Sequence, residues 1–336
     1  MRKGLLIFLL LTMSIFVFSL DIQYKEISED LSMIVNDDEI SSEVFKAKTG
    51  VVSLLSTIKN TNESFFQTLT NTATGLDLLN TYNKRKALEF SGNILFIQFV
   101  ESKEINLNRE VLKENIETQF DNILNDSDLS DEDLNNYLSS KGYSSKEAYL
   151  EEQYYNALYE RSIQSYYEKK SEEYDIEETE IEKEYNENKN LYVKPPQAEI
   201  SIIRFSNSDE ASLTYNKISQ GYYDFEEAFE QKQSEGNSDN ITINLNVEQN
   251  EFIKEVKNNA PGYISKPQQI SENEWILIKI LKKSPERELN LEEAKNQIIF
   301  NLRDKKAKDY FDKILPEEFE DFKENSTLIL NKNLFY

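Results

Sequence analysis

Few residue types that could perform chemistry occur in this sequence. Its 336 residues include no histidine and no cysteine, whereas 62 are aspartate or glutamate. A Ser-His or Cys-His nucleophile, a histidine or cysteine metal site and a disulfide are therefore excluded. Every remaining side chain needs a shifted pKa to titrate near neutral pH. Most familiar enzyme classes are excluded on these grounds.

The abundant carboxylates do not by themselves indicate a site. With 62 acidic residues, pairs at catalytic spacing arise by chance. The acidic run from Asp126 to Asp133 is weakly similar to a calcium loop, but it lacks the central glycine and the required spacing. The sequence also has no glycine-rich phosphate loop. We therefore predict no metal and no cofactor.

Charge and composition limit the fold and the partners. A net charge of -24 and an isoelectric point near 4.5 oppose binding to nucleic acid. The 38% hydrophobic content is enough for one core and more readily two. Only 8 glycines and 6 prolines, with abundant Glu, Lys, Leu and Ile, favour helices.

The first twenty residues read as an export signal. Arg2 and Lys3 precede an apolar run from Leu5 to Phe18, which is the pattern of a secretory signal peptide. The cleavage site near Ser19 is poor, so an uncleaved anchor in the inner membrane is the alternative. We predict a signal peptide or N-terminal anchor over residues 1–20 and a periplasmic location.

Two helices stand out in the first half of the chain. Residues 88–100 are apolar on nearly every face, which predicts a central core helix, with a client-binding groove as the alternative. Residues 144–167 begin with a capping-box pattern at Ser144 and are rich in tyrosine. Tyrosine suits both a helix interface and a polypeptide-binding surface.

The chain changes character at Pro195 and Pro196. A sparse acidic helix precedes the two prolines, and the apolar residues of 198–205 follow them. Proline removes a backbone donor and places its predecessor in extended geometry, so the later segment is predicted to be a strand. A helical region therefore meets a mixed region here.

Several segments, taken in order, resemble the helical domain of SurA and PrsA-type periplasmic foldases. They are residues 34–40, 94–97, 104–107, 138–149 and 180–185. The resemblance implies that a parvulin-type prolyl isomerase domain follows. The sequence supplies its outline: a strand at 198–205, helices at 209–219, 223–229 and 250–257, an alternating strand at 241–247, and a last strand at 275–281.

The parvulin resemblance fails at its catalytic positions. The family places a histidine on the first strand and another on the last, and Ile202 and Ile276 occupy those positions here. Phe252 matches the pocket phenylalanine and is our candidate peptide contact, with Trp275 as a core or rim residue beside the site. We therefore predict that the chain has no catalytic residue and that these four residues contact the substrate. The alternative is a pocket that is filled by core side chains.

Together these features predict an α+β protein made of a mostly helical domain with an inserted parvulin-like four-stranded sheet. The predicted divisions are the helical domain at 21–193, the parvulin-like domain at 194–284 and a returning C-terminal helix and strand at 285–336. The implied function is ATP-independent holding of unfolded outer-membrane or secreted proteins. An active prolyl isomerase with an atypical site and a membrane-anchored structural or adhesion protein are the alternatives.

Overall fold

Ten strands and the helices between them build the part of the chain that the structure describes. A computed structural model describes residues 20–127, 130–247 and 251–335. The predicted signal or anchor at residues 1–20 therefore lies outside the described residues, apart from Leu20, and so does part of the acidic run ending at Asp133. The chain divides into two units: a helical unit, formed by residues up to Asp175 and from Leu302 on, and a sheet unit, Ile176–Asn301.

The helical unit contains a small four-stranded sheet. Its strands are β1 (Asp21–Lys25), β2 (Leu31–Val35), β3 (Asp38–Ser41) and β10 (Thr327–Asn331). Their order is β1-β10-β2-β3, with β1 and β10 parallel and the other pairs antiparallel. Asn36 turns β2 into β3 with a left-handed φ of 54°, a conformation that asparagine tolerates better than most residues.

Helices form the rest of the helical unit. In chain order they are α1 (Ser42–Thr49), α2 (Val51–Thr61), α3 (Glu63–Asn71), α4 (Ala73–Ser102), α5 (Arg109–Ser127), α6 (Asp131–Lys141) and α7 (Lys146–Glu173), and later α13 (Leu315–Glu324) and α14 (Lys332–Phe335). Side chains of Ser41, Asn62, Thr72, Ser130 and Ser145 cap five of these helices, because each accepts a bond from an otherwise orphaned amide. The cap of α7 is thus Ser145, one residue after the predicted Ser144.

The core of the helical unit surrounds the second half of α4. The six residues between 94 and 100 other than Gln98 belong to the apolar run predicted from the sequence, and all six are buried. Their rings meet others edge to face: the ring centroids of Phe96 and Phe319 are 5.4 Å apart, and those of Phe99 and Tyr166 are 5.5 Å apart. A helix that buries several faces must be surrounded, so the prediction of a central core helix is confirmed.

The sheet unit has its own strands and helices. They are α8 (Glu178–Glu187), β4 (Val193–Lys194), β5 (Gln197–Phe205), α9 (Ser208–Ser219), α10 (Phe225–Ser234), β6 (Ser238–Asn244), α11 (Glu251–Asn258), β7 (Gln268–Ser271), β8 (Glu274–Ser284), β9 (Arg287–Glu288) and the start of α12 (Leu291–Lys313). The main sheet is antiparallel with the order β6-β5-β8-β7. The α+β class predicted from the sequence is confirmed.

A two-stranded ribbon joins the first and last parts of the sheet unit. Strands β4 and β9 pair antiparallel, with Val193 opposite Glu288. Next to them the Tyr185 hydroxyl donates to the Leu289 carbonyl at 2.8 Å, and the Leu289 N–H donates to the Tyr192 carbonyl at 2.8 Å. The prolines at 195 and 196 follow β4 directly. They separate it from β5, because proline has no N–H to donate to a strand pairing.

Within the described ranges, no helix combines the length and the apolar character needed to cross a bilayer.

Candidate functional site

The candidate site lies on one face of the sheet unit, across its two central strands. Strands β5 and β8 are hydrogen-bonded to each other and each has a second neighbour, and apolar clusters cover both of their faces. Residues of even number in both strands point to one face, and we call that face the isoleucine face. It consists of Ala198, Ile200, Ile202, Ile276, Ile278 and Ile280, extended by Ile241 and Ile243 of β6.

Ile202 and Ile276 occupy neighbouring places on the isoleucine face. Ile202 lies opposite Ile278, and Ile276 lies opposite Arg204, so the two residues are diagonal neighbours across the β5–β8 ladder. Ile202 is 5% exposed and Ile276 is 1% exposed. The structure therefore brings together the two positions at which the family resemblance expects histidines, and it packs both side chains into apolar core.

Helix α11 covers this face. Val256 is fully buried, and the half-buried Phe252 and Ile253 pack against the same cluster. Phe252, Ile253 and Val256 lie on one side of an otherwise polar helix. This single apolar side packs against the sheet. Phe252 thus joins Ile202 and Ile276 in one cluster, as a site built from these three residues requires.

Trp275, the fourth candidate, belongs to the opposite face. It lies opposite Phe205 and packs with Ile203, Leu277 and residues of α9 and α10. Successive side chains of a strand point to opposite faces, so the one-residue offset from Ile276 is decisive. Trp275 contributes to the core between the sheet and these two helices and is not brought together with the other three candidates.

The isoleucine face is bordered by a polar pair that was not predicted from the sequence. The Tyr263 hydroxyl donates to the Glu255 carboxylate at 2.6 Å, and the ring of Tyr263 packs against the isoleucine cluster. The hydrogen bond to Glu255, followed by burial, raises the pKa of Tyr263 to about 12. The only sequence signal was a tyrosine following Gly262, whose φ of 89° marks a turn toward the strand.

Backbone pairing with β8 fixes the segment that carries Tyr263. The Gly262 N–H donates to the Ile280 carbonyl at 2.7 Å, and the Ile280 N–H donates to the Tyr263 carbonyl at 3.0 Å. Further along, the Ser265 hydroxyl accepts from the Ile278 N–H at 3.1 Å, and Ser265 is fully buried. The position of the tyrosine ring is therefore set by main-chain bonds on both sides.

The chemistry open to this arrangement is apolar binding. At the border of the isoleucine cluster, the phenol of Tyr263 and the carboxylate of Glu255 bind each other. At neutral pH this tyrosine stays protonated, since its pKa is raised, and cannot act as a general base. Over the described ranges, no cluster of three or more Asp or Glu residues has the geometry to hold a metal ion.

The helical unit offers a second apolar surface, along α2, α3 and the first turns of α4. We call it the charge-poor helices, because only Lys59, Glu63 and Asp77 are charged between residues 51 and 82. Large apolar side chains that are exposed here are Val52, Leu54, Phe65, Leu76 and Leu78. The tyrosines of α7 at 154, 155, 159, 166 and 167 instead pack against the core, so they form a helix interface.

Comparison with protein families identifies the sheet unit. Residues 176–296 match the PPIC-type PPIASE domain. This segment contains the four-stranded sheet, the three helices α9–α11 and the isoleucine face. The chain therefore carries a parvulin-type domain, as the sequence resemblance implied. No curated protein matches the sequence.

The chain is similar to several solved structures, among them the following three. One, from the Campylobacter jejuni SurA-like chaperones PEB4 and Cj1289, is 17% identical, with 66% of this chain and 86% of that chain covered and a TM-score of 0.31. Foldase PrsA of Streptococcus pneumoniae is 15% identical, with coverages of 77% and 88% and a TM-score of 0.30. Foldase PrsA of Lactococcus lactis is 14% identical, with coverages of 92% and 97% and a TM-score of 0.30.

Proposed function

We propose that this protein is an exported, ATP-independent chaperone that holds unfolded envelope or outer-membrane proteins, and that its parvulin-type domain does not catalyse prolyl isomerisation. In this proposal, residues 194–284 carry the parvulin-like fold and residues 21–193 with 285–336 hold the client. Residues 1–20 direct export or anchor the chain. The observation that carries the proposal is the burial of Ile202 and Ile276 together in apolar core.

The loss of catalysis follows from what isoleucine lacks. Rotation about a prolyl bond is accelerated by polar groups that stabilise the twisted peptide better than the planar one, in addition to an apolar pocket for the ring. Isoleucine donates and accepts no hydrogen bond. Replacing two polar partners together by apolar groups leaves no orphaned donor, so the fold is retained while the polar half of the site is lost.

Client holding is supported by the charge-poor helices. Contiguous exposed apolar surface on a soluble protein commonly marks an interaction site. Leu78 is 57% exposed and Phe65 is 48% exposed, in a stretch with three charged residues. The remaining surface is strongly acidic, with a net charge of -24 for the chain, which keeps a protein with such a surface soluble.

One observation favours a second function, prolyl isomerisation through an atypical site. Tyr263 packs at the border of the cluster that contains Phe252, and its hydroxyl carries a hydrogen that a peptide carbonyl can accept. For catalysis it would have to exchange its bond to Glu255 for one to the peptide. Substitution of Tyr263 by phenylalanine therefore separates the two functions.

The test is a paired assay on the mature chain. One arm measures cis/trans exchange of a proline peptide by NMR, and the other measures suppression of aggregation of an unfolded outer-membrane protein. We expect suppression without faster exchange. Accelerated exchange that Tyr263→Phe or Phe252→Ala abolishes would establish an isomerase instead, and activity in neither arm would favour the anchored structural or adhesion protein.

A matched pair of variants locates the holding surface. Phe65→Ser with Leu78→Ser removes two exposed apolar side chains from the charge-poor helices. Val111→Ser with Ile123→Ser removes two from α5, where both are also exposed. We expect only the first pair to reduce suppression. Equal losses in both pairs would show that exposed apolar area in general, rather than this surface, binds the client.

A further inference from the structure

The outer strand β6 has an open hydrogen-bonding edge. In an antiparallel ladder, alternate residues direct both N–H and C=O to the partner strand, and the residues between them direct theirs away. The Arg204 N–H donates to the Asn237 carbonyl at 2.8 Å, and the Leu245 N–H donates to the Pro196 carbonyl at 2.9 Å. The odd-numbered residues of β6 therefore bond to β5. Asn240, Thr242 and Asn244 present their main-chain groups to the open edge.

The outward groups of Thr242 and Asn244 have no main-chain partner among the residues that the structure describes. Strand β6 pairs with β5 alone there. The Asn240 N–H is partly satisfied by the Asp239 carboxylate at 2.8 Å. The Asn244 side chain accepts from the Asn246 N–H at 2.9 Å, and this bond does not involve the main-chain N–H or C=O of Asn244. Two consecutive outward positions are thus available for another strand.

The opposite edge of the same sheet is protected, and β6 is not. Strand β7 has four residues, follows Pro267 and has a register irregularity between Gln269 and Ser271. Short length, proline and bulges are the means by which proteins block edge-to-edge pairing. Strand β6 pairs without a break over seven residues and carries one charge, Asp239, and no lysine or proline. The difference makes β6 the accepting edge.

The neighbouring side chains indicate what binds there. Ile241 and Ile243 are half-buried members of the isoleucine face and lie at its outer margin. A strand added beside β6 would place alternate side chains next to them, and apolar ones would complete their burial. A second copy of this chain is disfavoured, because each copy carries a net charge of -24.

We propose that β6 accepts an extended, unfolded segment with apolar residues at alternate positions, by strand addition to the edge of the sheet. This inference rests on the proposed chaperone function and names a client-binding element within it. Main-chain bonds supply binding that does not depend on client sequence, and the isoleucine margin selects the alternating pattern. The domain then binds extended chain through its edge without requiring proline.

The test uses the full mature chain and a short probe peptide of alternating valine and threonine with a lysine at each end. Amide exchange followed by NMR should show the Thr242 and Asn244 amides slowed about tenfold or more near saturation, while the odd-numbered amides of β6 change little. The same peptide with N-methylated central amides is the matched control and should not protect them. Equal binding of both peptides, or protection confined to other segments, would overturn the proposal.

Variants at one position complete the test. Thr242→Pro removes an outward amide but no bond of the β5–β6 ladder, and proline is tolerated at such edge positions. It should weaken peptide binding about tenfold, whereas Thr242→Val, which keeps the amide, should bind as the parent does. Amide protection that rises with protein concentration in the absence of peptide would identify a second copy as the occupant and overturn the proposal. Because peptide binding is measured separately from aggregation, loss of the chaperone function and loss of strand addition are distinguishable.

Discussion

Ile202 and Ile276 are diagonal neighbours on the two central strands of the sheet unit, and both are buried under α11. The chain has no histidine, and at these two positions isoleucine side chains fill the space with apolar packing. The sheet face brings together the two positions at which the family resemblance expects histidines, and its side chains are those of a packed core. The following predictions test this packing and the architecture around it.

Returning a histidine to the first strand should destabilise the sheet unit. Ile202→His places an imidazole in apolar core without a partner, at a cost of about 2–5 kcal/mol. Ile202→Val, the matched control, should cost about 1 kcal/mol. The loss should deepen below about pH 6.5, because the unfolded chain binds a proton that the buried ring does not. Urea unfolding at several pH values measures this, and a histidine variant as stable as the valine variant would indicate an open pocket.

Two glycines of α4 should respond to alanine in opposite directions. A Cβ on Gly75 would lie 2.6 Å from the Leu69 Cα, where α3 and α4 meet, whereas one on Gly92 would meet nothing within 4 Å. Gly75→Ala should therefore destabilise the helical unit by about 1–3 kcal/mol. Gly92→Ala should stabilise it by about 0.5–1 kcal/mol through helix propensity. Thermal unfolding of the two variants checks both signs.

Asn36 should be a stability determinant of the small sheet. Its amide donates to the Gln98 side chain at 2.7 Å, its side-chain oxygen accepts from the Thr327 N–H at 2.8 Å, and its φ is 54°. Asn36→Ala should cost about 2–4 kcal/mol, from lost bonds and left-handed strain. The exposed Asp37, changed to alanine, should cost less than about 0.5 kcal/mol. Equal denaturation midpoints would show that this network contributes nothing.

The paired hydroxyls of Tyr166 and Tyr310 should make the helical unit sensitive to alkali. Their oxygens lie 2.6 Å apart in the core, and burial raises the pKa of both residues. A raised folded pKa contributes stability that is complete below the unfolded value of about 10 and is lost as pH rises from there through the folded value. Circular dichroism against pH should therefore show loss of helix above about pH 10.

Variants of the same pair give the control. Tyr310→Phe leaves the buried Tyr166 hydroxyl without this partner and should cost about 1–3 kcal/mol at pH 7, whereas Tyr166→Phe should cost less, because the Tyr310 hydroxyl keeps its bond to Glu318. The double variant should be closer to the parent at pH 7 and should lose helix at higher pH. Additive single losses in the double-variant cycle would show that the two hydroxyls do not interact.

Local patterns in the sequence were sufficient for elements whose stabilising contacts are nearby. The run at Ile200, Ile202, Ile203 and Phe205 predicts β5 because a central strand is apolar on both faces. The two prolines before it predicted where β5 begins. Capping residues predicted where several helices begin. Strand β6 was positioned less well: the alternation at 241–247 gave its apolar side, but the strand begins at Ser238 and ends at Asn244.

Which distant segments pair with each other could not be predicted. The small sheet pairs Leu328 with Val35, and nothing local in either segment identifies the other. The Tyr263–Glu255 bond joins two residues on separate elements, and neither residue type is unusual in an acidic, tyrosine-rich chain. The four site candidates illustrate the same limit. The sequence gives their types, but only the register separates Trp275 from the other three.

The parallel pairing of β1 with β10 joins residues 21–25 to residues 327–331. A contact of such high sequence separation cannot form until the later strand has been synthesised and delivered, and the loop that it closes makes it slow. The sheet unit contains all of its partners within Ile176–Asn301 and can complete its folding first. The helical unit, with its exposed apolar helices, is then the last part to mature. A chain lacking β10 would carry a folded sheet unit beside a helical unit whose small sheet is incomplete, and would be more readily cut by proteases.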